Sequence, residues 1–268
     1  MDKIQIHIIN KQSIYDSEKM AIAMARLTQS GHKISSLDDF MSLYNKEYTA
    51  DFLSTLCRLP HPTLQKFGVI NIVIIGASRR FLAQITRHQN EVKFMSASLQ
   101  YSDYSDSAQF VVPYELLGNA NYVDRANYIS SCLDSLKHYK YLAERVGNDA
   151  AGYAMPQGLR NVLVISATPF QWKHMISQRT CRRNTTETIY VMLRCWEALQ
   201  KESIMFEHCG PFCELDSCKE GKMSCKNPIV STGVRLYRDL DNIPTPTAII
   251  KETFPLLGGD NDLHSRRT

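Results

Sequence analysis

No stretch of eighteen consecutive apolar residues occurs among the 268 residues of the chain, so nothing in it reads as a bilayer-spanning helix. A strong charge bias is missing too. Lys and Arg number 31 against 27 Asp and Glu, a net charge of +4. That excess is too slight to argue for a nucleic-acid polymer or a membrane surface as partner. The segment MDKIQIHIIN lacks a positive region followed by an apolar block and a small-residue cleavage site, which makes a cytoplasmic protein the expectation. Internal repeats, low-complexity linkers and strong domain boundaries are absent as well. Without a secretory signal, structural disulfides are not expected among the eight cysteines. What remains is an ordinary globular composition, 44% hydrophobic and 22% charged.

The local pattern is α+β and reads as one domain. KIQIHII alternates and predicts a first strand. Met20, Ala23, Met24 and Leu27 fall at helical spacing. Ser36 with Asp39 makes a capping-box-like start for one helix through LDDFMSLYNKEYTADFLSTLCRL, which Pro60 stops. GVINIVIIG predicts a strand buried on at least one face. Ser78 then caps a helix, RRFLAQITRH, that turns Phe81, Ile85 and His88 to one side and Gln84 and Arg87 to another. A long helix is predicted from Asp124 to Val146, ended by Gly147, and GLRNVLVISAT reads as a strand or extended segment. Thr168-Pro169 starts a helix holding FQWKHMISQR, and a further helix runs from about Thr186 to Glu207.

Three segments carry chemistry-bearing residues. Gln84 and Arg87 lie three apart on one helical face, ahead of Ser96, Ser98, Gln100, Tyr101 and Ser102. An Arg at a helix end, facing small hydroxyls and backbone N–H groups, suits a phosphate or a carboxylate. Basic residues that complement the helix dipole are the simpler reading of that spacing. His174 and Gln178 lie one turn apart, followed by Arg179, Arg182 and Arg183. This cluster suits an anion site or a solvated face. The third segment, HPTLQKF, places His61 and Thr63 just before the buried strand, where they can meet a ring system or cap the next element.

Cys209, Cys213, Cys218 and Cys225 crowd into HCGPFCELDSCKEGKMSC. Four thiolates at this spacing, with Gly-Pro and Gly in the turns, would close a structural zinc site with no open position. Reduced thiols in a loop are the simpler reading, since the spacing is looser than paired C-x-x-C.

Taken in this order, the segments resemble the flavin-dependent thymidylate synthase family (ThyX). That pattern has His-x-Ser/Thr, a strand, Gln-x-x-Arg-His-Arg on a helix, then Ser-x-Arg-Tyr-Ser and a later helix ending in Leu-Arg. Here the matching residues are His61 and Thr63, Gln84, Arg87-His88-Gln89, Ser98 to Ser102, and Gln178-Arg179. ARLT, Ala25 to Thr28, matches a segment that touches flavin in that family. The match runs from about residue 20 to about residue 200. Arginines of the family pattern are replaced by Gln89, Gln100 and Gly152, and its flavin-holding Asn and Arg fall at Thr168 and Phe170.

The resemblance implies a single domain with a central, mostly antiparallel sheet flanked by helices, spanning residues 1–206. A Cys-rich segment (207–226) and a C-terminal tail (227–268) follow. It implies C5 methylation of dUMP to dTMP, with FAD as cofactor and NADPH and methylenetetrahydrofolate as co-substrates. Thr28, Thr63, Arg87, His88, Gln89 and His174 would hold the cofactor. Gln84, Arg87, Ala97, Ser98, Leu99, Gln100 and Arg179 would hold the nucleotide, with Arg179 and Ser98 as the catalytic pair. The implied assembly is a homotetramer whose sites are shared between subunits. A hydroxymethylase, a methylase of another pyrimidine nucleotide, and a flavin- or nucleotide-binding protein without turnover are the alternatives.

Overall fold

Four strands form one antiparallel sheet in the order β1–β2–β4–β3, with β1 at Gln5–Ile8, β2 at Ile70–Ser78, β3 at Val92–Ser96 and β4 at Arg160–Ala167. The computed structural model describes residues 4–215, 218–226 and 245–257, so much of the expected tail lies outside the described residues. Strand alternation sorts the sheet into two faces. On one, Ile72 pairs with Ile165 and Ile74 with Leu163, all fully buried. On the other, Ile75 pairs with Val162 and both remain exposed. A bulge at Gly76, φ 92°, lets β2 turn from this register into the helix that follows.

β3 is not among the predicted elements. Its five residues carry exposed Lys93 and Met95, and only pairing with β4 makes them a strand.

The helices are α1 (Gln12–Ser30), α2 (Leu37–Asn45), α3 (Ala50–Arg58), α4 (Arg79–Ile85), α5 (Tyr122–Val146), α6 (Asn148–Ala151), α7 (Pro169–Arg179), α8 (Thr186–Glu202), α9 (Phe212–Leu215) and α10 (Pro246–Thr253). The Ser36–Asp39 capping box is present with both of its bonds. The single helix predicted after it is in fact two. Lys46 turns extended, Thr49 caps α3 through the Phe52 N–H at 3.2 Å, and Arg26 donates at 2.7 Å to the carbonyls of both Lys46 and Glu47. Carbonyls freed by the break thus find a charged partner on α1.

α8 is the central buried helix, with Ile189 to Leu193, Cys195, Trp196 and Leu199 all buried, and it packs against β1, β2, α4 and α7. It ends at Glu202 rather than Glu207, because Ser203 caps a following 3-10 turn, Ile204–Phe206. Part of the C-terminal region docks here as well. α10 packs on α8, and Phe254 wedges edge-on between Tyr114 and Tyr190. The architecture is the α+β domain that the resemblance implied, an antiparallel sheet flanked by helices. Among the described residues no helix is long and apolar enough to cross a membrane.

Candidate active site

The turn after α4 and the end of α7 meet at one hydrogen bond. Arg179 donates from Nε to Nε2 of His88 at 2.9 Å. α4 stops at Ile85, where the Thr86 hydroxyl bonds back to the Leu82 carbonyl, so His88 sits in the turn rather than on the helix. It is nevertheless only 7% exposed. Burial first, then the neighbouring charge of Arg179 and then His174, push its imidazole down to about 4. A ring that accepts from a guanidinium presents a lone pair at Nε2, so in the neutral ring the proton sits on Nδ1.

Arg179 is held from a second side by Asn184, whose Oδ1 accepts from Nη1 at 3.3 Å. Asn184 itself is fixed by donating to the carbonyls of Gln178 at 2.7 Å and Cys181 at 3.0 Å. Burial, then the charge of Arg87, hold the Arg179 guanidinium below its ordinary value. The two arginines therefore feel each other across the same space. His174 presents its ring edge-on to His88 at 5.8 Å and to Phe212 at 6.2 Å.

Arg87, Arg179 and Asn184 line a cavity of about 420 Å³, and His88 and His174 lie outside its lining. Gln84, Arg87, Gln178 and Arg179 form one wall, and Phe212, Cys213, Cys218, Lys219 and Glu220 of the Cys-rich segment form another. Arg183 ties the two together through Glu220 at 3.6 Å and through the Met223 carbonyl. The sequence motifs predicted Gln84, Arg87 and Arg179 as neighbours, and they are. They gave no sign of Phe212 or Glu220, which reach the cavity only through long-range packing. Asn184 also went unnoticed, although Asn is a common turn-fixing residue.

The remaining predicted residues lie elsewhere within one chain. Ala97 donates its N–H to the Val162 carbonyl, which continues the β3–β4 ladder. Ser98 Oγ accepts from the N–H groups of Gln100 at 3.1 Å and Tyr101 at 3.3 Å, so the hydroxyl proton is the part left to give. Leu99 and Gln100 line a different cavity, of about 430 Å³, that includes none of the arginines at 87, 179 or 183. Thr28 bonds its own Ala25 carbonyl near the end of α1, Thr63 is exposed in the 3-10 turn Pro62–Gln65, and Gln89 is exposed.

Cys209 is buried in the core, its Sγ 3.9 Å from the Lys173 carbonyl, and burial pushes its thiol up to about 12. Cys213 and Cys218 face the arginine cavity, and Cys225 is exposed. Among the described residues no three His, Cys, Asp or Glu side chains form a group able to hold a metal ion, so the four cysteines are not gathered into one ligand set.

Residues 10–203 match the family profile Thy1, thymidylate synthase complementing protein. No curated protein sequence matches the chain. By fold the chain is similar to ThyX of Helicobacter pylori in a structure with FAD and dUMP, at a TM-score of 0.54 and 16% identity, over 74% of this chain and 94% of that one. It is similar to a second Helicobacter pylori ThyX structure, also with FAD and dUMP, at 0.53 and 18%, over 72% and 95%. It is similar too to a UMP/dUMP methylase, PolB of Streptomyces cacaoi bound with 5-Br dUMP, at 0.56 and 14%, over 76% and 93%. At these identities the likeness is one of fold.

Proposed function

The chain belongs to the Thy1 family of thymidylate synthase complementing proteins, and on that premise we propose that it is a flavin-dependent enzyme that methylates dUMP at C5 to give dTMP. The observation that carries this reading is Arg179, fixed by its bond to buried His88, in a cavity also lined by Arg87. FAD would be the cofactor, methylenetetrahydrofolate the carbon donor and NADPH the reductant.

The lining suits anionic ligands. Arg87, Arg179, Arg183 and Lys219 face the cavity against one carboxylate, Glu220. Reduced flavin would supply the hydride when bound. Arg87 would offset negative charge on the flavin ring, and Phe212, with His174 edge-on against it, would offer an aromatic ring beside it. Arg179, fixed by His88 and Asn184, would stabilise the charge that develops on the pyrimidine carbonyls as C5 becomes nucleophilic. A neutral His88 adds no second cation; it orients Arg179. Gln84 would bond the pyrimidine edge. Ser98 would donate its remaining proton to the nucleotide phosphate.

Ser98, Leu99 and Gln100 do not share the arginine cavity within one chain, and neither do Thr28 and Thr63. That separation supports a homotetramer in which copies complete one another's sites. Uncharged Gln89, Gln100 and Gly152, where the family pattern carries arginine, favour a second reading: methylation or hydroxymethylation of another pyrimidine nucleotide. Incubation of the FAD-loaded protein with dUMP, methylenetetrahydrofolate and NADPH separates these outcomes by product mass. A methylated product supports the first reading and a hydroxymethylated one the second. A yellow protein that yields neither from any pyrimidine nucleotide is a binding protein.

A further inference from the structure

The cavity beside the Ser98 turn holds an unsatisfied charge. Its lining includes Arg79, Leu99, Gln100, Asp149, Gly152 and Gln157, and Arg79 is the one cationic side chain among the described residues there. The Nη1 of Arg79 is shut off from water yet has no hydrogen-bond partner. A buried guanidinium N–H without an acceptor is costly, and native structures leave few of them. Arg79 does not reach this place through slack in its backbone. Its N–H donates to the Leu159 carbonyl at 3.0 Å, that of Arg80 donates to the Gln157 carbonyl at 3.0 Å, and Ser78 caps the helix through the Phe81 N–H at 3.1 Å. Arg79 as a whole is only partly buried, so the remainder of its guanidinium is what faces the cavity, and a guanidinium fork fits the oxygens of a phosphate.

Two positions on the same wall explain why the charge comes from here. Gln100 and Gly152 are the uncharged residues found where the family pattern carries arginine, and both line this cavity. At Gly152 an added Cβ would lie 3.1 Å from the Leu99 Cβ, a tight contact that Leu99 would have to ease by a few tenths of an ångström. Neither position carries positive charge here, and Arg79 at the start of α4 brings it from another element.

We propose that Arg79 is the phosphate anchor of the nucleotide site, binding the monoester phosphate of the pyrimidine nucleotide beside the Ser98 turn. This rests on the reading that the chain binds such a nucleotide. Asp149 is the carboxylate on the same wall and opposes the phosphate charge.

The test is a calorimetric titration of the FAD-loaded protein with dUMP, deoxyuridine and inorganic phosphate. Arg79→Gln is expected to weaken dUMP at least tenfold and to leave deoxyuridine within twofold, with Arg79→Lys recovering part of the loss. Asp149→Asn, at an exposed position, is expected to tighten dUMP several-fold and not deoxyuridine. Parent-like dUMP binding by a folded Arg79→Gln overturns the proposal. If Arg79→Gln does not fold, an unchanged dUMP affinity in Asp149→Asn overturns it instead. A parent that binds phosphate through Arg79 but no nucleotide keeps the anion site and removes the functional reading beneath it.

Discussion

Arg179 donates its Nε–H to a histidine, His88, that burial keeps neutral. The pair turns a mobile cation into a fixed one without adding a second charge to a space already shared with Arg87. Its consequence is a division of labour: Arg179 carries the charge and His88 sets its direction.

His88→Gln is therefore expected to retain FAD and dUMP near parental affinity while turnover falls by about ten- to a hundredfold, the scale of one hydrogen bond to a charged group. Single-turnover rates alongside equilibrium binding check this. A variant that loses flavin but turns over normally once saturated would give His88 a cofactor-holding role instead.

Acid sensitivity follows from two histidines. His88 is pushed down to about 4, as is His208, the latter by burial first and then by Arg58 and Lys173. Between their ordinary value of 6.5 and about 4, the unfolded chain binds protons that the folded chain refuses. Stability is thus intact above pH 6.5 and is lost as pH falls toward 4. Urea midpoints at several pH values across this window should fall steeply in the parent and less steeply in a His88→Gln, His208→Gln double variant. Equal slopes would contradict the assignment.

Lys173 contributes a buried cost. Its Nζ is closed off without a hydrogen-bond partner, and burial pushes its amine below the ordinary value despite the nearby thiols of Cys57 and Cys209. Lys173→Met removes the polar head and keeps the stem. It is expected to raise stability by about 1–2 kcal/mol, read as a higher melting temperature. A lower one would mean that the amine has a partner in the working protein.

Gly76 is held by geometry rather than by helix or strand preference. Its φ is 92°, and an added Cβ would come within 2.1 Å of the Arg160 guanidinium. Gly76→Ala should cost about 1–3 kcal/mol in urea unfolding. A neutral result would show that the bulge relaxes easily.

These features divide by how far their cause lies along the chain. β1, β2 and β4 were legible because alternation is local, and the caps at Ser36, Ser78 and Thr168 each act within three residues. The break between α2 and α3 was not, because Arg26 on α1 stabilises it from outside. β3 was missed because its pairing partner, β4, lies far downstream. In the site, Gln84, Arg87 and Arg179 were readable as motif positions. The neutrality of His88 was not, since burial creates it. Nor was the wall built by Phe212 and Glu220, which depends on how the Cys-rich segment folds back over α7 and the turn after it.

The central claim is that Arg179 drives chemistry at C5 of a pyrimidine nucleotide. Tritium release from C5-labelled dUMP, with FAD, NADPH and methylenetetrahydrofolate present, tests it most directly. The expected result is release by the parent, and loss of most of it in Arg179→Ala with flavin still bound. Parental release from Arg179→Ala would contradict the account.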